Sequence, residues 1–157
     1  MTDTVASPRG QAPGHRATAA ELAPAWNRLR WAAWFYALAW AIHTGDHLRR
    51  GLSTVSSQVT VLGLSAAVLQ VVAIVLVLRR NRYAPAVALA IGIPDGIGIA
   101  AVHLLPHWSS FSDAFPGAHH TGVTGFSWFA AIVEVLGALV FAAAGWGVFR
   151  RQHPNPA

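Results

Sequence analysis

The chain has 157 residues, of which 54% are hydrophobic and only 11% are charged, a composition typical of membrane proteins rather than of a soluble domain of this length. It contains no cysteine, and its single methionine is the first residue, which excludes disulfides, thiol catalysis, iron–sulfur ligation and thioether copper sites. All 11 basic residues are arginines, and the formal net charge of +5 does not by itself indicate a nucleic-acid partner, so we expect none.

The N-terminal residues 1–23 are rich in alanine, threonine, proline and glycine and show no apolar periodicity. Such a stretch cannot bury a core, so it is predicted to be a disordered tail. No short apolar region with a small-residue cleavage site stands near the start, so no cleaved signal peptide is expected.

Four later segments are apolar over about 20 residues each, which is the length that a helix needs to cross a membrane. They lie at about 29–48, 57–78, 83–105 and 124–149. The pattern predicts an all-α integral membrane protein, with an up-down bundle of four transmembrane helices in residues 24–151 and a short C-terminal tail, 152–157. The predicted location is the cell membrane, with several passes through the lipid bilayer.

The arginines predict how this bundle is oriented. Nine of the 11 lie before the core of the first segment, in the second connection or after the last segment, whereas only Arg49 and Arg50 lie in the other two connections. Since positively charged loops stay in the cytoplasm, both termini are predicted to be cytoplasmic. The C-terminal ends of the first and third helices then lie at the extracytoplasmic face.

Two pairs of histidines stand at these extracytoplasmic ends. His43 and His47 are one helical turn apart with Asp46 between them, and the sequence H-L-L-P-H repeats the spacing at His103 and His107. Two imidazoles at this spacing on one helix can bind the same metal ion. We therefore expect these four histidines to be metal ligands, and Asp46 to be a ligand or to orient one.

Two carboxylates are predicted to lie inside the membrane, where an unpaired charge is costly and often marks a functional site. Asp95 lies on the same face of the third helix as the two histidines that follow it, near the G-x-x-x-G pattern of Gly92 and Gly96. Glu134 lies on a stripe of alanines at four-residue spacing, which predicts that it faces another helix. Both are candidate catalytic residues, as deeper ligands or as groups that accept protons.

Imidazole and carboxylate together suit zinc, iron or copper. The first hypothesis is therefore a metal site near the extracytoplasmic face, in a metal-dependent membrane enzyme that is hydrolytic or oxidative and acts on a lipophilic small molecule. The second is a subunit that transfers electrons through haem b, with His43 and His103 or His47 and His107 as axial ligands, in a quinone-linked role; it leaves the carboxylates unexplained. The third is a transporter, sensor or accessory subunit without catalysis, in a homo-oligomer or a membrane complex.

The connection at 108–123 has two readings that the sequence leaves open. It contains His119 and His120 and several aromatic residues, so it is either a lid over the site, to which these two histidines contribute, or a simple link between two helices.

The H-x-x-x-H pairs, with serine and aspartate on other helices, resemble zinc-dependent membrane hydrolases of the ceramidase and adiponectin-receptor type. The resemblance covers a handful of residues, and those proteins have more transmembrane helices than the four predicted here. No mechanism is carried over from them.

Overall fold

The computed structural model describes residues 18–118 and 122–153. The predicted tail up to residue 17, His119, His120 and residues 154–157 lie outside the described residues. The described chain is helical, with no strand. Its four α-helices are α1 (Ala19–Arg50), α2 (Ser57–Leu78), α3 (Ala84–Ile99) and α4 (Gly125–Gln152). A short 3-10 helix follows α1 (Leu52–Thr54), and a π-helix continues α3 (Ala100–Leu104).

Three of the described helices are long and apolar enough to cross a membrane, namely Ser57–Leu78, Ala84–Leu104 and Gly125–Gln152. They correspond to three of the four predicted spans. Helix α1 has 32 residues, but its arginines, histidines and tryptophans lower its mean hydropathy, and it is not among the three. That α1 also crosses the membrane stays a prediction.

Helix α1 begins earlier than the sequence predicted. Residues 19–23 were assigned to the N-terminal tail but are helical, because Thr18 and Glu21 form a capping box at the start of the helix. The backbone N–H of Thr18 donates to Oε2 of Glu21 at 2.7 Å, and the Thr18 hydroxyl accepts from the backbone N–H of Glu21 at 3.4 Å. The cap satisfies donors that would otherwise be left free, so the helix starts ten residues before the predicted apolar segment.

Small residues bring α3 close to α4. A Cβ added to Gly92 would lie 2.6 Å from the carbonyl oxygen of Ala138, and one added to Gly96 would lie 3.2 Å from Leu139. Both glycines of the G-x-x-x-G pattern therefore face α4, as that pattern predicts. Helix α4 also packs against α1, where a Cβ on Gly137 would lie 3.1 Å from that of Ala39.

A single apolar cluster defines one end of the molecule. It joins Trp26 near the start of α1, Val77 at the end of α2, Ala84 at the start of α3 and Val148 near the end of α4. The C-terminal end of α1, the π-helix and the start of α4 consequently lie together at the opposite end. This is the end that carries the predicted histidine pairs.

Candidate metal centre

Three histidines meet at the end of the helices opposite the apolar cluster. His43 and His47 lie on α1 and His103 on the π-helix, and one ring nitrogen from each lies within 4.8 Å of the others. Their ring centroids are 4.7 Å (His43 and His103), 4.8 Å (His43 and His47) and 5.3 Å (His47 and His103) apart. This three-histidine cluster can hold a metal ion.

Local helix geometry explains why these three side chains meet. His43 and His47 are four residues apart on α1 and therefore project from the same face. His103 lies where α3 changes from α-helical to π-helical hydrogen bonding, a local widening that is frequent at functional sites. His43 and His103 are only 3% and 2% exposed, so the cluster is largely withdrawn from solvent.

The second nitrogen of each ring faces an oxygen. Nδ1 of His43 contacts the carboxylate of Glu134. Nδ1 of His103 lies 3.1 Å from the backbone carbonyl oxygen of Asp113, and Nδ1 of His47 lies 4.0 Å from Oδ2 of the same aspartate. Metal-binding histidines generally have such partners, which fix the tautomer and the direction of the ring.

The remaining nitrogen of His43 has no such partner. Its Nε2 atom is buried and makes no hydrogen bond to any described residue. A buried polar atom without a partner is costly, and a metal ion at this position would remove that cost. The donor set of three imidazoles, two of which have Nδ1 atoms in contact with oxygens, therefore fits a bound transition metal.

Asp113 holds the end of the cluster in place. Both of its carboxylate oxygens accept hydrogen bonds from the guanidinium of Arg50, each at 2.7 Å. Burial raises the pKa of Asp113, but the hydrogen bonds and charge of Arg50, together with the two nearby imidazoles, outweigh burial and hold that pKa below its usual value. Asp113 is therefore an anion at neutral pH.

The described part of the connection between α3 and α4 covers the cluster. The backbone N–H groups of Asp113 and Phe115 donate to the carbonyl oxygens of Val102 and His103 at 3.0 and 2.8 Å. The Phe115 ring is 3% exposed, with its centroid 4.8 Å from that of His103 and 5.6 Å from that of Trp128. Residues 112–115 thus pack onto the site.

A polar network lies on the other side of the cluster. The side-chain amide of Gln70 donates to Oδ1 of Asp95 at 2.7 Å and to Oε1 of Glu134 at 3.2 Å. The Tyr36 hydroxyl donates to Oδ2 of Asp95 at 2.7 Å. Both predicted carboxylates therefore lie in one network, which reaches the three-histidine cluster where Glu134 contacts His43.

Two predicted ligands lie outside the cluster. His107 is exposed. The π-helix ends at Leu104, so the four-residue spacing no longer places this side chain on the same face as His103. Asp46 is fully buried and pairs with Arg49 at 2.8 and 3.0 Å, while Arg49 in turn donates to Ser127 on α4 at 3.1 Å. Asp46 thus links α1 to α4.

Sequence reasoning gave no site role to Tyr36, Gln70 or Asp113. Tyr36 is fully buried although it stands in a run of aromatic residues that fits a membrane interface. The sequence could have indicated Gln70, since it is an amide in the middle of a long apolar span. Asp113 carried no signal beyond its charge, because its role depends on how the connection folds back.

No protein-family model, curated protein or solved structure matches this chain.

Proposed function

We propose that the protein is a multi-pass membrane protein whose four α-helices form an up-down bundle, with both termini in the cytoplasm and the three-histidine cluster near the extracytoplasmic face. The distribution of arginines supports this orientation, since nine of 11 lie before residue 31, in the connection between α2 and α3 or at the C-terminal end of α4. Burial supports the crossing of α1: its polar residues His43 and Asp46 are covered by protein.

The cluster binds one zinc ion through His43, His47 and His103. The observation on which this depends is that these three rings converge while oxygens contact the Nδ1 atoms of His43 and His103. Catalytic zinc sites use three protein ligands and keep a fourth position open. Among the described residues no carboxylate belongs to the cluster, which argues against the iron sites built from two histidines and one carboxylate.

A zinc site with an open position supports hydrolysis, because zinc lowers the pKa of a bound water to about 7. Within this chain, Glu134 orients His43 and accepts a hydrogen bond from Gln70. Asp95 lines the same cavity as the histidines, and in this proposal it accepts a proton from a substrate or a water there. We therefore propose a zinc-dependent membrane hydrolase.

The geometry favours a metal ion over the haem alternative. Two axial histidines need two bonds of about 2 Å each, with the porphyrin between the rings. The rings of His43 and His103 have centroids only 4.7 Å apart and stand nearly perpendicular, which leaves no room for that plane. The other proposed axial pair includes His107, which lies outside the cluster.

Elemental analysis and an optical spectrum of the full chain, purified in mild detergent, test this proposal. We expect one zinc per chain and no Soret band. A Soret band, or a chain that takes up no transition metal after incubation with zinc, copper or iron salts, would contradict it. Stoichiometric copper or iron would keep the site but overturn its assignment to zinc.

A further inference from the structure

An apolar cavity of about 490 Å³ lies next to the three-histidine cluster, between α1, α2 and α3. Its size is within the usual range for small-molecule sites. One end is polar and is formed by His43, His47, His103, Gln70, Asp95 and Glu134. The rest of the wall is largely aliphatic, so the cavity matches a molecule with a polar head and an apolar body.

The cavity opens to the surface beside several leucines of α1 and α2. Leu48, Leu62, Leu64 and Leu69 line it and are 45–66% exposed. Since α2 is apolar enough to span a membrane, this surface faces hydrocarbon in the proposed arrangement. At the end of the bundle, Asp113 and Phe115 pack over the histidines, so the wider approach to the cluster runs sideways from the bilayer.

The acidic side chains at the polar end of the cavity indicate which kind of head group it binds. Two carboxylates, Asp95 and Glu134, line the cavity, and none of its described lining residues is an arginine. A phosphate or carboxylate head would therefore be buried beside two acidic side chains, with no described arginine in the lining to pair with it. A hydroxyl group instead donates a hydrogen bond to a carboxylate and offers its oxygen to the ion.

We infer that the cavity binds a neutral long-chain lipid with a hydroxyl head group, which enters from the bilayer and places its hydroxyl beside the three histidines. This inference rests on the proposed function and names the class of lipid that the same site recognises by its head group. The aliphatic wall and the lateral opening favour this occupant over a water-soluble one, and the absence of arginine from the described lining favours it over an anionic one.

Photo-crosslinking of the zinc-loaded full chain, with a long-chain primary alcohol that carries a diazirine in its alkyl chain, tests the inference. Gly98 lines the cavity and has nothing within 4 Å of an added Cβ, so Gly98→Phe fills the cavity. Gly45 has the same free space on an exposed face outside the cavity, so Gly45→Phe is the matched control. Zinc content is measured for each variant.

We expect label on peptides of α2 and α3 that line the cavity, at least about tenfold less label in Gly98→Phe, and unchanged label in Gly45→Phe. In the unmodified chain, unlabelled long-chain alcohol should compete well and the alkyl phosphate of equal length poorly. Label that is absent from the cavity, or equal competition by the phosphate, would overturn this inference while normal zinc content leaves the proposed function standing. Absence of zinc with cavity labelling intact would overturn the proposed function alone.

Discussion

The three histidines of the cluster differ in what holds each ring. His43 is fixed by the carboxylate of Glu134, and His103 by a backbone carbonyl and the packed ring of Phe115. His47 has a looser partner at 4.0 Å, and its side chain is 21% exposed. A ring that is already held loses less freedom when it binds a metal, so His43 and His103 should contribute most to affinity.

Replacing His43 or His103 by alanine should abolish stoichiometric zinc binding, because two imidazoles remain where the site needs three ligands. His107→Ala is the matched control, since this histidine is exposed and outside the cluster. The measurement is zinc per chain after dialysis against a weak chelator. Equal loss in the control would mean that the ligands are not those assigned here.

Glu134→Gln should weaken zinc binding by about 10–100-fold without removing it, the usual effect of losing a carboxylate that orients a ligand. The glutamine keeps the size of the side chain and can still accept a hydrogen bond. Asp46→Asn changes another buried carboxylate, one that pairs with Arg49, and should leave zinc affinity unchanged. Competition with a fluorescent zinc indicator measures both; an unchanged affinity in Glu134→Gln would show that Glu134 does not orient His43.

At the scale of helices, the long apolar segments could be predicted and the local departures could not. The predicted span 57–78 coincides with α2, because nothing in it competes with helix formation. His43 and His47 share a face as expected, since α1 is regular there. A continuous α-helix would place His107 on the same face as His103. The π-helix at Ala100–Leu104 interrupts the α-helical spacing, so this prediction is wrong.

Contacts between segments that are far apart in the chain also could not be predicted from the sequence. The alanine stripe correctly indicates that Glu134 faces another helix, but it does not identify His43 as the partner. Asp113 acquires its role from Arg50, 63 residues earlier in the chain, and from backbone hydrogen bonds to the π-helix. Such contacts form only when the connection between α3 and α4 folds back, whereas the periodicity of apolar residues describes one helix at a time.

The glycines of α3 offer a test of helix packing. Gly92→Ala should destabilise the protein by about 1–3 kcal/mol, because the added Cβ would lie 2.6 Å from a carbonyl oxygen of α4 and force the two helices apart. Gly98→Ala lies on the same helix with free space around it, and should be neutral or stabilising by up to about 1 kcal/mol. Thermal unfolding in detergent measures the difference; equal midpoints would show that α3 and α4 are not so closely packed.

At the scale of the whole molecule, the burial of its polar side chains makes α1 compatible with the proposed membrane crossing despite its low mean hydropathy. Tyr36, His43 and Asp46 on its inner face are 0–3% exposed, whereas Trp31 and Leu38 on its outer face are 75% and 60% exposed. An average over the helix mixes these two faces. In the proposed bundle, Trp31 and Leu38 face lipid while protein covers the polar side chains, which is the arrangement that intramembrane polar groups require.

The orientation of the whole molecule determines which compartment the metal site faces, and the absence of cysteine makes it directly testable. Ser110→Cys places a thiol on the exposed connection near the histidines, and His153→Cys places one at the exposed end of α4. Since the arginines predict that the termini are cytoplasmic, a membrane-impermeant maleimide should label only Ser110→Cys in intact cells and both variants after permeabilisation. The reverse pattern would place the three histidines at the cytoplasmic face, and labelling of both variants in intact cells would contradict the up-down arrangement, because these two sites lie at opposite ends of the helices.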